Sequence, residues 1–402
     1  MSLSVRPPVH TLPSYSLTSD LLGFLRCGLQ YRYTRLGKMP SSRPVQLWFG
    51  QFIHGVLEES YRQFKDGKLP IPPWPDPKTL TDIMARIDRR LAARNIVCWD
   101  DESEKLGQRR SQAAVEELGP LLFPLINQAE VRVRGARLMP SGTGVLAKAD
   151  RYEMLGVIDV VTQIELFNPK FKTNPFVQLV VSELPSNPPV EFEVIVDYKG
   201  MKRPDFNPPA SKKGKPDPDG AGEAFDDDKS LWGIYSWQVH TYAHLRSLLT
   251  PKPVVAGVLI YLNELFPTKS DFYALRRAVK ERWKDTAVPA KGSEDEKLLL
   301  TWKPKTEGEP VPVLSLGFRL KRAVRVIPIT DASTKKSLKS FDDTVGKIEH
   351  CRHREENSGK IISSWDKNSD HEPTCEACDS KTYCPEYGKK RKHQPQLPAV
   401  KM

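Results

Sequence analysis

The stretch Glu191-Phe-Glu-Val-Ile-Val-Asp197-Tyr198-Lys199-Gly200 decides how this chain is read. Its apolar run predicts a buried central strand. Side chains alternate across a strand, so Glu193, Ile195, Asp197 and Lys199 share one face. A carboxylate in such a strand is costly unless a partner or a metal holds it. The bland alternative is an exposed Asp-Lys ion pair on an edge strand, and for Asp-x-Lys alone that reading wins, because the tripeptide arises often by chance.

Company changes the weighing. Gly156-Val-Ile-Asp159-Val-Val161 is a second short apolar run with one carboxylate. Two carboxylates brought together on neighbouring strands can hold a hard divalent cation, while a lysine steers the attacking water or stabilises charge on a phosphoryl group. His54, in Phe49-Gly-Gln-Phe-Ile-His54-Gly-Val-Leu-Glu58, lies in a stretch with helical apolar spacing and is a third possible ligand. Imidazole suits manganese better than magnesium, so Mn2+ stands beside Mg2+ as the expected ion. Alone, such a histidine is more often structural. Gln238-Val-His-Thr-Tyr242 places an amide and a phenol one helical turn apart on one face.

A second signal is Cys375-Glu-Ala-Cys378-Asp-Ser-Lys-Thr-Tyr-Cys384, three thiols in a short, turn-rich segment. The start of the chain does not read as a secretory signal, so metal ligation is expected rather than disulfides. A fourth ligand must come from elsewhere: Cys27, Cys351 or Cys98. Spacing alone favours Cys351 and a structural zinc site with four cysteines.

Together these residues resemble the RecB-like branch of the PD-(D/E)xK nuclease superfamily, in its iron-sulfur group with the AddB nuclease domain and the CRISPR-associated spacer-acquisition nucleases. The match runs from Ser16-Leu-Thr-Ser-Asp-Leu-Leu-Gly-Phe-Leu-Arg-Cys27 to Cys384-Pro385, with long unmatched insertions. The resemblance implies that His54, Asp159, Asp197 and the Tyr198 carbonyl bind the catalytic metal, that Lys199 assists the nucleophilic water, and that Gln238 and Tyr242 line the active site and contact nucleic acid. It also implies that Cys27, Cys375, Cys378 and Cys384 hold a 4Fe-4S cluster, leaving Cys98 and Cys351 as ordinary thiols. By resemblance the substrate is DNA, single-stranded in preference, in DNA processing, repair or defence against phage.

The chain has 402 residues and a formal charge of +11, a balance that favours an acidic polymer as partner. The longest apolar run, Val254-Val-Ala-Gly-Val-Leu-Ile-Tyr-Leu262, suits a buried strand and not a membrane span, so a soluble, cytoplasmic protein is expected. No phosphate-cradling glycine loop or helicase motif is present, and any helicase, integrase or other defence-system subunit would be a separate chain.

The expected organisation is N-terminal helices with the first cluster cysteine and the histidine over residues 1–77, a helical insertion over 78–128, a nuclease core over 129–270, an insertion with a final strand and helix over 271–350, an iron-sulfur segment over 351–388, and a basic tail over 389–402. Helices are expected over 16–36, 47–65, 79–94, 104–127 and 331–353, and strands over 129–134, around Asp159, ending at Lys199, from Val254, and over 317–328. Residues 201–230 read as a flexible loop whose Ser211-Lys-Lys-Gly-Lys215 could track phosphates. The fold class is therefore α/β, a restriction-endonuclease-like mixed sheet flanked by helices, with the cluster joining the N- and C-terminal segments. A non-catalytic DNA-binding or scaffolding subunit is the rival, against which the intact Asp159, Asp197 and Lys199 speak.

Overall fold

The computed structural model describes residues 12–42, 45–140, 149–185, 188–201, 203–204, 231–281, 287–306, 309–368 and 372–387. Ser211–Lys215, nearly all of the 201–230 loop and the basic tail lie outside them. Among the described residues the architecture is mixed α/β, with a six-stranded mixed sheet and flanking helices. The chain divides into two compact units, each assembled from separate stretches. No helix among the described residues is long and apolar enough to cross a membrane.

The larger unit comprises residues 43–131 and 157–334. Helix α1, Val45–Lys65, buries Trp48, Phe52, Ile53, Val56 and Leu57, the helical stripe anticipated around the histidine. Two helices close over it: α2, Pro77–Ala92, capped by Asp76 on the Lys78 N–H, and α3, Asp101–Ala113, capped by Asp100 on the Glu102 and Ser103 N–H groups. Leu80, Ile83, Ile87 and Leu91 of α2 join the core beneath. The 78–128 helices thus supply part of one hydrophobic core.

Strand β3, Arg151–Glu165, enters this unit from Val157 onward and pairs antiparallel with β4, Glu191–Lys199. Helix α5, Leu231–Ser247, follows α4, Pro175–Ser182, and leads to β5, Val254–Tyr261, which lies parallel to β4 with Lys199 opposite Tyr261. Such a parallel pair needs a crossover, and α5 supplies it. Strand β6, Val324–Pro328, completes the edge antiparallel to β5. Strand β4 is buried on both faces because α5 covers the side that carries Asp197. Gly257 is required there: a Cβ would stand 1.7 Å from Val239 Cγ1 of α5. Further down the same contact, Arg246 of α5 makes two 2.7 Å hydrogen bonds to buried Glu193.

The smaller unit comprises residues 1–42, 132–156 and 335–402. Its short strand β1, Ser14–Ser16, runs parallel to the beginning of β3, and most of β2, Ile126–Leu138, also lies in it. Most of the long helix α7, Asp331–Ser358, packs here, with Arg137 bridging to Asp342 at 2.9 and 2.6 Å.

The structure corrects several local readings. Residues 317–328 are not one strand: Ser315 caps helix α6, Leu316–Ala323, and only Val324–Pro328 is extended. Leu320 and Ala323 sit three apart and are buried, a helical period mistaken for alternation. The 16–36 helix breaks at Cys27, whose backbone is extended at φ −166° and ψ 112°. The 104–127 helix stops being regular after Ala113, the expected 129–134 strand extends over Ile126–Leu138, and Glu294–Thr301 forms a helix inside the insertion expected within 271–350.

Candidate active site and cysteine centre

The edge of the sheet where β4 ends collects the residues singled out from the sequence. Val160 pairs with Val196, so the next step along the antiparallel ladder brings Asp159 beside Asp197. The Tyr198 peptide is held on both sides: its N–H donates to Asp159 Oδ2 at 2.9 Å, and its carbonyl accepts from His54 Nε2 at 3.0 Å. A carbonyl only accepts, so Nε2 carries the proton, and a neutral imidazole turns its Nδ1 lone pair toward Asp159, 3.5 Å away. Burial lowers the His54 pKa, which favours that neutral form.

Lys199 and Asp197 form an ion pair on the face covered by α5. Asp197 Oδ2 is buried and meets the ammonium without an aligned hydrogen bond. Gln238 bridges the two: its Oε1 accepts from Lys199 Nζ at 2.9 Å and its Nε2 lies 3.4 Å from Asp197 Oδ1. The ammonium also sits 4.3 Å from the centre of the Tyr235 ring. Tyr242 is buried one turn beyond Gln238 on α5.

Two carboxylates in one buried place cannot both ionise cheaply. Burial, then the Asp197 charge, pushes the Asp159 carboxyl up to about 8. The donor set of two carboxylates, one carbonyl and one imidazole fits a hard or borderline divalent cation, and the buried Asp197 Oδ2 is the oxygen such an ion would satisfy. Among the described residues, however, no three His, Cys, Asp or Glu side chains are gathered tightly enough to form a ready-made metal group.

A pH dependence follows with a definite sign. An unfolded aspartate ionises near about pH 4, whereas native Asp159 keeps its proton up to about 8. Across that window the unfolded state binds fewer protons, so stability falls as pH rises. Urea unfolding of chelator-treated protein is expected to show this slope, and Asp159→Asn is expected to flatten it. An unchanged slope in the variant would place the titration elsewhere.

Sequence reasoning missed Glu130. With His54, Glu58, Asp159 and Tyr198 it lines a small pocket beside the carboxylates, and its backbone has φ +51°. Partial burial, then Asp159 and Glu58, pushes its carboxyl up to about 7. One acid at the start of a strand carries no spacing signal by which to find it.

In the smaller unit Cys27, Cys375, Cys378 and Cys384 line one cavity. Cys27 interrupts two short helices, Leu22–Arg26 and Gly28–Tyr31. The C-terminal segment is anchored against them, with the Leu29 N–H on the Asp366 carbonyl at 3.0 Å and Trp365 packed on Phe24 and Tyr31. Successive turns then raise the other thiols, the Cys378 N–H bonding the Cys375 carbonyl at 3.2 Å and the Cys384 N–H the Lys381 carbonyl at 3.1 Å. Burial pushes the Cys378 thiol up, and Cys27 and Cys384 add to the shift. Cys351 is elsewhere on α7, its Sγ accepting from Arg354 at 3.1 Å, and Cys98 lies in the other unit. Four thiols around one cavity fit a thiolate-held metal centre, although they are not drawn together as a closed ligand group.

No curated protein matches this chain. The family model of the PD-(D/E)XK nuclease superfamily matches residues 18–165, the stretch that carries Cys27, His54 and Asp159 and ends before Asp197 and Lys199.

Proposed function

We propose that this chain is a metal-dependent nuclease that hydrolyses DNA phosphodiester bonds, with single-stranded DNA as the preferred substrate. The observation that carries this reading is the pairing of Asp159 with Asp197 at the end of β4, next to a Lys199 ammonium fixed by Gln238. The superfamily match supports nuclease chemistry in general.

His54, Asp159, Asp197 and the Tyr198 carbonyl are the residues that would hold Mg2+ or Mn2+. Such an ion supplies Lewis acidity to the phosphoryl group and lowers the pKa of water. Lys199 offers a positive charge for the phosphate oxygens, and its link to Gln238 removes much of the freedom it would otherwise lose on binding. His54 fixes the direction of the Tyr198 carbonyl, and Asp159 does the same for the peptide N–H. Tyr242 is proposed to contribute to the substrate side of α5.

The four cysteines are proposed to hold a 4Fe-4S cluster, in keeping with the RecB-like iron-sulfur branch. The protein would work in the cytoplasm in DNA processing, repair or antiviral defence, with helicase, integrase or other subunits as separate partners. The test is cleavage of labelled single- and double-stranded DNA by cluster-replete protein. Cutting is expected with manganese or magnesium, stops with chelator and returns when metal is restored. Calcium is expected to bind with little turnover, because it coordinates more loosely. Absence of cleavage under every metal, with Lys199→Ala behaving as wild type, would favour the scaffold.

A further inference from the structure

Lys199 enters the candidate site at the end of β4 on a long, flexible stem, so its ammonium needs anchors if it is to meet a phosphate in one place. Two anchors are polar, the Asp197 carboxylate and the Gln238 amide. The first is weakened by the chemistry expected of the site. A divalent cation held by Asp197 draws on the same carboxylate charge that holds the ammonium, and it repels the ammonium besides. What keeps Lys199 in place under those conditions has to be uncharged.

Tyr235 meets that requirement. It stands one turn before Gln238 on α5, so a single helix face presents ring and amide together. The ring centre lies 4.3 Å from Lys199 Nζ, within the range over which an aromatic face attracts an ammonium, and the ring is buried, which strengthens the attraction. Its orientation is fixed from two sides. The ring centre is 6.4 Å from that of Tyr261, the residue opposite Lys199 on β5, with 59° between the planes, and the Tyr235 hydroxyl donates to the thioether of Met201, two residues after Lys199. Tyr261 in turn meets Trp232, one turn earlier on α5, edge to face at 5.8 Å. The close approach of α5 that brings these rings to the strand end depends on Gly257, whose lack of a side chain lets Val239 settle on β5.

We propose that Tyr235 is a positioning residue for Lys199: its ring holds the ammonium while Asp197 is engaged with a divalent cation, and so keeps the charge aimed at the phosphate that is cut. This role rests on the nuclease reading of the Asp197 site. A neutral π face suits it, because it neither competes for the metal nor neutralises the ammonium as a carboxylate does. The labour is thereby divided, with Asp197 serving the metal and Gln238 and Tyr235 serving the lysine. A plain benzene ring is enough for this, and the contact between the hydroxyl and Met201 only steadies it.

The test compares wild type, Tyr235→Leu, Tyr235→Phe and proteins in which a phenylalanine with one, two or three ring fluorines replaces Tyr235. Fluorine drains the negative face of the ring and leaves its shape almost unchanged. In steady-state cleavage of labelled single-stranded DNA with manganese, Tyr235→Leu is expected to lower kcat about 10–30-fold with KM changed less than about twofold, and Tyr235→Phe to stay within about threefold of wild type. Each added fluorine is expected to lower kcat further below the Tyr235→Phe value, by about tenfold in all for three. A second readout needs no activity. In metal-free protein carrying isotope-labelled lysine, the ring current of Tyr235 should move the Lys199 Cε protons upfield, a signal identified by its loss in Lys199→Ala, kept in Tyr235→Phe and absent from Tyr235→Leu. If Tyr235→Leu does not fold, the fluorinated series, which keeps the packing, decides. Should wild type cut DNA while kcat is indifferent to the number of fluorines, or should the Lys199 protons show no upfield shift, the positioning role is overturned and the nuclease reading stands. Wild type that cuts no nucleic acid under any metal removes the nuclease reading and this role with it, even where the shift is present.

Discussion

Lys199→Ala is expected to lower kcat for DNA cleavage by roughly 10²–10³-fold, the usual loss when one preorganised electrostatic group is removed from a reacting centre, while metal affinity stays nearly constant. An ammonium does not ligate a cation, so its removal leaves Asp159, Asp197, His54 and the Tyr198 carbonyl in place. Asp197→Ala is expected to abolish cleavage outright and to keep salt-sensitive DNA binding, because phosphate contacts and chemistry rest on different residues. The two variants should differ in stability as well. Lys199 and Asp197 are 12% and 9% exposed at their side chains, and removing one member of a buried pair strands the other charge at a cost of about 3–5 kcal/mol. Lys199→Ala leaves the Asp159–Asp197 pair without its cation in metal-free protein, and with metal affinity nearly unchanged, added Mn2+ should stabilise the variant and wild type by similar amounts. Isothermal titration with Mn2+, thermal melts and single-turnover cleavage separate these effects. Equal kcat in wild type and Lys199→Ala would remove Lys199 from the chemistry.

Much of this site was legible because it depends on strand periodicity. Asp197 and Lys199 are two apart in an apolar run, and a strand permits only one arrangement for such a pair. Gln238 was legible from helical spacing with Tyr242, and it contacts Lys199 and Asp197. What spacing could not supply was anything that depends on a neighbour distant in sequence. Glu130 enters the pocket only because β2 begins beside His54 and Asp159. The strand order β4-β5-β6, which sets Arg325 opposite Leu259, is likewise a property of contacts, and only Val324–Pro328 of the expected 317–328 strand takes part in it. The short strand β1 has three residues, too few for a pattern. Nor does periodicity reveal that each unit is built from separated stretches, since that division is a property of contacts.

Cys27→Ser is expected to bleach the protein, remove its iron and acid-labile sulfide, and lower the melting temperature of the smaller unit. Wild type purified without oxygen should be brown, with iron and sulfide in near-equal amounts, because four thiolates holding a cubane bind as many irons as sulfides. The size of the effect follows from where Cys27 stands. It comes from the first stretch of the smaller unit, and its three partners come from the last, so one centre closes a loop of nearly the whole chain. Site binding is folding free energy when the ligands are distant in sequence. Without the centre the segment after Trp365 keeps the Leu29–Asp366 backbone bond, the Ser42–Asp379 hydrogen bonds and the Tyr33–Tyr383 ring contact, beside Trp365 packed on Phe24 and Tyr31. Limited proteolysis should therefore cut Cys27→Ser protein first near residues 372–387, while the Asp197 site, which lies in the other unit, keeps its metal affinity. Cys351→Ser is the control: its sulfur is held by Arg354 and stands outside the cavity, so colour and iron should survive. Zinc in place of iron, in stoichiometric amount and lost from Cys27→Ser, would keep these four ligands and change the ion. Metal lost from Cys351→Ser but retained by Cys27→Ser would overturn the ligand set itself, and with it the link between the two ends of the chain.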